Sequence, residues 1–179
     1  MAKRGLPMPS LPRPVLYGIF GIAIIIILII MASLFSGRNS GSTQPVVGVL
    51  ARSQETLRVT ALVLPQLQDP QTQALAATVT AALTSDQQQL EAYLSQNHVK
   101  LSPAQLAADA DSSTDTSMQA ATQNNNLDPT FVAYLKDKLS RYATDLKTAY
   151  QKAGPKGQVI LQSAYDSTNS LLSSPPLKS

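Results

Sequence analysis

From Pro14 to Gly37 the chain carries no charged residue, and most of that run reads GIFGIAIIIILIIMASLF. A helix needs about 20 apolar residues, each rising about 1.5 Å, to cross a hydrocarbon layer of about 30 Å. Residues 14–36 meet that need and are expected to form a transmembrane anchor. The run is longer than the about 7–15 apolar residues of a cleavable signal. The SLFSG that follows puts Leu34 and Phe35 where a cleavage site needs small side chains, and a chain without cysteine has no lipoprotein processing site.

The flanks set the expected orientation. Lys3, Arg4 and Arg13 precede the run with no acid among them, whereas only Arg38 follows it closely, which keeps the amino terminus in the cytoplasm. The division that follows is a cytoplasmic tail (1–13), the anchor (14–36), a linker (37–45), an extracytoplasmic domain (46–173) and a C-terminal tail (174–179). The expected location is the plasma membrane, crossed once. Of the 14 Lys and Arg, the 11 beyond the anchor meet all 11 Asp and Glu there. The exported part is therefore neutral, the basic excess is a topology signal, and no basic patch recommends nucleic acid as a partner. With no cysteine for disulfides, the outer part must be held by burial alone.

Its composition favours helix. Residues rich in Ala, Leu, Gln, Ser and Thr run without an alternating strand pattern, and boundaries repeat one grammar. Asp69-Pro70, Ser102-Pro103 and Asp128-Pro129 each offer a capping side chain before a proline suited to the first helical turn. Ala153 to Gly157, AGPKG, stops one helix and starts another. Pro65 closes or kinks the first outer helix, and Pro175-Pro176 ends the last.

Apolar residues between these marks step by 3 and 4. The first helix offers Val47, Leu50, Gln54, Leu57, Ala61 and Leu64, and the second Ala76, Val79, Leu83, Asp86, Leu90 and Tyr93. The third offers Val132, Leu135, Leu139, Tyr142, Leu146, Ala149 and Ala153, and the fourth Leu161, Ala164 or Tyr165, Thr168 and Leu171. Four amphipathic helices that cannot bury their stripes singly predict an all-α four-helix bundle. Short connections make helices one and two, and three and four, antiparallel hairpins. Between the pairs lie about 30 residues, enough to run back along a bundle of about 38 Å. That long crossover predicts the ferritin-like arrangement, with a short helix near Pro103 to Ala110, a second around Met118, and mobility between them.

The stretch DPQTQALAATVTAALTSDQQQLEAYLSQNHVKLSP, followed by DPTFVAYLKDKLSRYATDLKTAYQKA, resembles the two central helices of a bacterial exported family, domain of unknown function 4142. The resemblance covers about residues 49–172 and rests on Pro70, Leu90, Tyr93, Val99, Leu101 and Tyr134. It implies an exported ferritin-like bundle, in a family whose function is mostly unassigned. The family's two histidines are missing: Leu83 and a residue near Tyr142 take their places.

Ferritin-like metal centres use inward glutamates and Glu-x-x-His pairs near mid-bundle. The corresponding residues here are Glu55, Asp86 with Gln89, Asp145, and Asp166 with Asn169. Amides stand in for both histidines, so the set would suit Ca²⁺ or Mg²⁺ rather than a redox iron pair. The expected role of these residues is structural, with no metal and no cofactor: partly exposed charges plus a polar seam layer of Gln54, Asp86 and Tyr142. Asp109, Asp111, Ser113 and Asp115 alternate like the start of a calcium loop, but Thr114 replaces its turn glycine and Ala120 its final glutamate. His98, the sole histidine, reads as a helix-end residue, and no catalytic set can be assembled. Two function classes follow. The leading one is a non-catalytic, membrane-anchored module that binds a protein or envelope partner; the other is a ferritin-like protein that binds a metal or small ligand.

The mature protein should keep Met1 or Ala2 and partition with membranes. An intact mass that begins after Ser36 would contradict the anchor.

Overall fold

The first described helix starts where Pro45 can occupy an opening turn and ends where Pro65 forbids continuation. The computed structural model describes residues 41–178; the tail at 1–13 and the anchor at 14–36 lie outside them. Among the described residues no helix is long and apolar enough to cross a membrane. All regular structure there is helical: α1 (Gln44–Val63), a single 3-10 turn (Leu64–Gln66), α2 (Pro70–Gln96), α3 (Pro103–Leu106), α4 (Ser112–Gln123), α5 (Leu127–Lys152), α6 (Pro155–Leu172) and α7 (Pro175–Lys178).

The four long helices pack as a closed ring, α1 on α2, α2 on α6, α6 on α5 and α5 on α1. Ser42 near the start of α1 donates to the carbonyl of Lys152 at the end of α5 (2.9 Å), and Asp128 at the start of α5 binds the loop after α1. These two helices are therefore antiparallel. The end of α2 meets the start of α6 through Tyr93 and Gly157, so that pair is antiparallel too. With α2 and α5 across the ring from each other, the chain must return along its length before α5 begins. Residues 97–126 make that return, and α3 and α4 lie close to the two predicted short helices.

The predicted seam of α2 is buried residue for residue: Ala76, Val79, Leu83, Asp86, Leu90 and Tyr93. In α5 the seam from Leu135 to Ala153 is buried, while Val132 is only half-buried. In α6 Leu161, Ala164, Thr168 and Leu171 are buried, which decides for Ala164 over Tyr165. The α1 seam is buried at Val47 and Leu50 as expected and needs correction beyond them. Gln54, Ala61 and Leu64 are exposed, and the buried line runs through Val46, Val49, Ser53, Thr56, Thr60 and Val63. Sequence hydropathy misplaced it because three of those positions carry hydroxyls. Ser53 donates to the Leu50 carbonyl (2.9 Å), Thr56 to Arg52 (3.1 Å) and Thr60 to Thr56 (2.7 Å). A hydroxyl satisfied by its own helix can sit in a core without an unpaired polar group.

The ends of the domain also differ from expectation. Helix α1 starts at Gln44, inside the expected linker, and Leu177, in the expected tail, is the buried residue of α7. Asp69 caps α2 by accepting from the Thr72 amide (2.9 Å) and hydroxyl (2.7 Å), and these bonds hold its carboxyl below the usual range. Ser102 and Gln105 form a capping box. Asp128, expected to cap α5, lies inside its first turn and accepts instead from the amides of Gln68 (3.2 Å) and Asp69 (3.0 Å). Gly157 is required by proximity: a Cβ there would lie 2.7 Å from the Tyr93 ring and hydroxyl.

Two left-handed residues bound the crossover, His98 (φ 58°) and Asn125 (φ 51°). After α2 the Val99 amide donates to Leu94 and His98 to Ser95, both at 3.0 Å; after α4 the Asn126 amide donates to Ala121 (2.9 Å) and Asn125 to Thr122 (3.2 Å). Both are Schellman closures. His98 is thus a helix-terminating residue, and the asparagines at 124–126 close α4.

His98→Gly should stabilise the domain by about 0.5–1 kcal/mol, since glycine takes this backbone region without a Cβ clash. Leu83→Asp should abolish cooperative unfolding because it buries an unpaired charge, whereas Gln54→Ala should change stability by less than about 0.5 kcal/mol. Thermal melts followed by circular dichroism check all three.

Candidate functional site

The charged residues of α1 share one face because Arg52, Glu55 and Arg58 are three residues apart. That face looks toward α5 and the crossover. Glu55 is buried, with its side chain only 2% exposed, which corrects its reading as a partly exposed flanking charge. A carboxylate so placed needs a countercharge and donors. Arg58 supplies both, with Nε at 2.7 Å and Nη2 at 2.9 Å, and the Asp111 amide adds a bond at 3.3 Å.

Arg58 then reaches across to α4. Its Nη2 lies 2.7 Å from Asp115 Oδ1 and its Nη1 3.0 Å from Oδ2, a bidentate pairing. Hydrogen bonds to Glu55 first, and to Asp115 second, raise the guanidinium pKa further above its already high value. Nearly two turns back, Arg52 donates to Asp145 of α5 and its Nη1 lies 3.6 Å from Asp109 of the crossover. Two arginines of one helix therefore hold the returning segment.

Tyr134 of α5 borders the same cluster. Its hydroxyl is buried without a hydrogen-bond partner; burial above all, then the charge of Glu55, raises its pKa. Phe131 stacks near it, with ring centroids 6.3 Å apart, and Lys138 Nζ sits 5.5 Å from the Tyr134 ring centre.

The six possible metal ligands are not brought together. Glu55 serves Arg58, and Asp145 serves Arg52. The Gln89 amide lies 3.4 Å from Ser85 Oγ, exposed Asp166 accepts from Gln162 (2.9 Å), and the Asn169 carbonyl accepts from Ser173 (2.8 Å). Asp86 is alone in the seam. Among the described residues no group of three His, Asp or Glu could hold an ion. The calcium-loop pattern is dispersed as well. Asp109 and Asp115 face different arginines, Asp111 caps α4 at the Ser113 amide (2.9 Å), and residues 112–123 are helix rather than loop.

The seam layer survives in part. The Tyr142 hydroxyl donates to Asp86 Oδ2 at 3.5 Å, a long contact. Gln54 is outside it, on the surface, where it accepts from Gln87 (3.0 Å). Burial pushes the Asp86 carboxyl up to about 6, against a smaller opposing effect of the Tyr142 bond. Burial, and then the charge of Asp86, raises the Tyr142 pKa, which keeps this hydroxyl a donor.

A second surface lies between α5 and α6. Leu146 and Leu161 floor a groove of about 270 Å³ walled by Tyr150 and Tyr165, with Lys147, Gln151 and Gln162 at its edges. Tyr150 is exposed, unlike every other described aromatic residue. Neither the arginine latch nor this groove was foreseen from sequence. The i,i+3 Glu55-Arg58 spacing was its one local sign.

Comparison with known proteins yields no matching family model, no matching curated protein and no matching solved structure.

The Asp86 pKa is raised on folding, so protonation favours the fold. Its contribution is fully present below about pH 4 and is lost as pH rises through about 6. Asp86→Asn should therefore match the native protein near pH 4 and exceed its stability by about 2–3 kcal/mol near pH 8. Asp86→Leu should be at least as stable as native at the higher pH. Denaturant titrations across that range measure the difference. A native-to-Asn gap independent of pH would contradict the assignment.

Proposed function

We propose that this chain is a non-catalytic extracytoplasmic binding module on a single transmembrane anchor, built as a ferritin-like four-helix bundle and related to domain of unknown function 4142. The closed ring of antiparallel helices with a full-length return between α2 and α5 supports the bundle. The uncharged run at 14–36 and its basic leading flank support the anchor.

The observation that carries the binding role is the groove walled by Tyr150 and Tyr165. An exposed tyrosine beside a half-buried one over a leucine floor is costly to leave in water, and aromatic residues are enriched where proteins bind partners. The partner in this reading is a protein or other component of the envelope, with no nucleic acid and no cofactor. The metal-binding alternative has less to support it, because Glu55 and Asp145 already neutralise arginines.

Tyr150→Ala with Tyr165→Ala should reduce capture of the envelope partner at least tenfold in pull-downs from solubilised membranes, with little change in melting temperature. Elemental analysis of the purified protein should show no stoichiometric ion. A stoichiometric divalent ion, or capture untouched by the double substitution, would contradict the proposal.

A further inference from the structure

The return segment is held differently from everything it covers. Helix α5 buries Leu127, Phe131, Leu135, Leu139, Tyr142, Ala143, Leu146 and Ala149. Helix α4 buries only Thr114, Met118 and Ala121, and α3 buries nothing. Apolar burial scales with area, so little of it fixes this segment. Beside that burial and a Thr122–Gln66 hydrogen bond (3.2 Å), charge holds it: Asp109 on Arg52, the Asp111 amide on Glu55, and Asp115 bidentate on Arg58. Asp115 and Arg58 are each more than a third exposed in their side chains (39% and 37%), so dissolved salt reaches that pair. The segment is also bounded by two backbone reversals, at His98 and Asn125, which can act as pivots without disturbing α2 or α5.

We infer that residues 103–123 form an electrostatically latched lid, which opens as one unit while the ring of four long helices stays folded. Opening uncovers the face between α1 and α5 that carries Glu55, Thr56 and the unpartnered Tyr134 hydroxyl. Ionic strength, or an anionic partner that competes for Arg58, governs the latch. Elements with few buried apolar contacts belong to the least stable cooperative units of a fold, and here the latch adds to the burial of Met118 and Ala121 in closing them.

Hydrogen exchange on the full chain in detergent tests the lid. Asp115→Asn is the appropriate variant, because it cuts the lid side of the latch and leaves buried Glu55 paired with Arg58. Amides of residues 113–123 should exchange about tenfold faster in Asp115→Asn, and also in native protein moved from low salt to about 0.5 M NaCl. Amides of α2 between Val79 and Tyr93 should keep their rates. Unchanged rates at 113–123 would overturn the lid, and so would equal acceleration of α2, which would mean that the segment unfolds only with the whole domain. Neither outcome bears on the tyrosine groove, so the lid and the proposed binding role stand or fall separately.

Discussion

A buried carboxylate dictates much of how this domain closes. Glu55 points inward from α1 and is neutralised by Arg58 from the next turn. An ion pair of this kind gains little over an apolar pair, yet losing one partner strands a charge in the interior. Arg58 is therefore held in place, and its outer edge is left aimed at whatever passes over α1. The passing segment supplies Asp115. That contact holds the return segment over α1.

The same helix shows how a core can be polar without being unsatisfied. Ser53, Thr56 and Thr60 donate their hydroxyls to carbonyls of their own helix, and Ser53 also accepts from Gln87 of α2 (3.1 Å). On the neighbouring helix α2, Asp86 has a single weak partner, Tyr142, and burial holds its proton to higher pH. Thus the interior solves its polar problem in two ways. On α1 the solution is a fixed ion pair, which also positions the return segment; on α2 it is a titratable group that keeps its proton to higher pH.

Much of the fold was legible because proline and capping residues mark helix starts and because α2 repeats its apolar positions faithfully from Ala76 to Tyr93. What was not legible has specific causes. Beyond Leu50 the register of α1 differs by one residue because Leu57, Ala61 and Leu64 look more apolar than Ser53, Thr56 and Thr60, and hydropathy does not register a hydroxyl satisfied within the helix. Asp128 was assigned to its own helix because nothing local announces its bonds to Gln68 and Asp69, about 60 positions away. The acids of the return segment looked like a calcium loop because the arginines that claim them are on another helix. The groove at Tyr150 was hidden because its two tyrosines come from separate helices. The anchor at 14–36 is legible in sequence only and lies outside the described residues.

A double-mutant cycle on Glu55 and Arg58 tests most directly whether this ion pair governs closure. Arg58→Met alone should cost about 3–5 kcal/mol at neutral pH, because Glu55 is left buried and uncompensated. Adding Glu55→Leu should restore most of that loss, to within about 1 kcal/mol of the native protein, while leaving the return segment unlatched. An Arg58→Met variant that loses less than about 1 kcal/mol, or a double variant no more stable than Arg58→Met, would contradict the account.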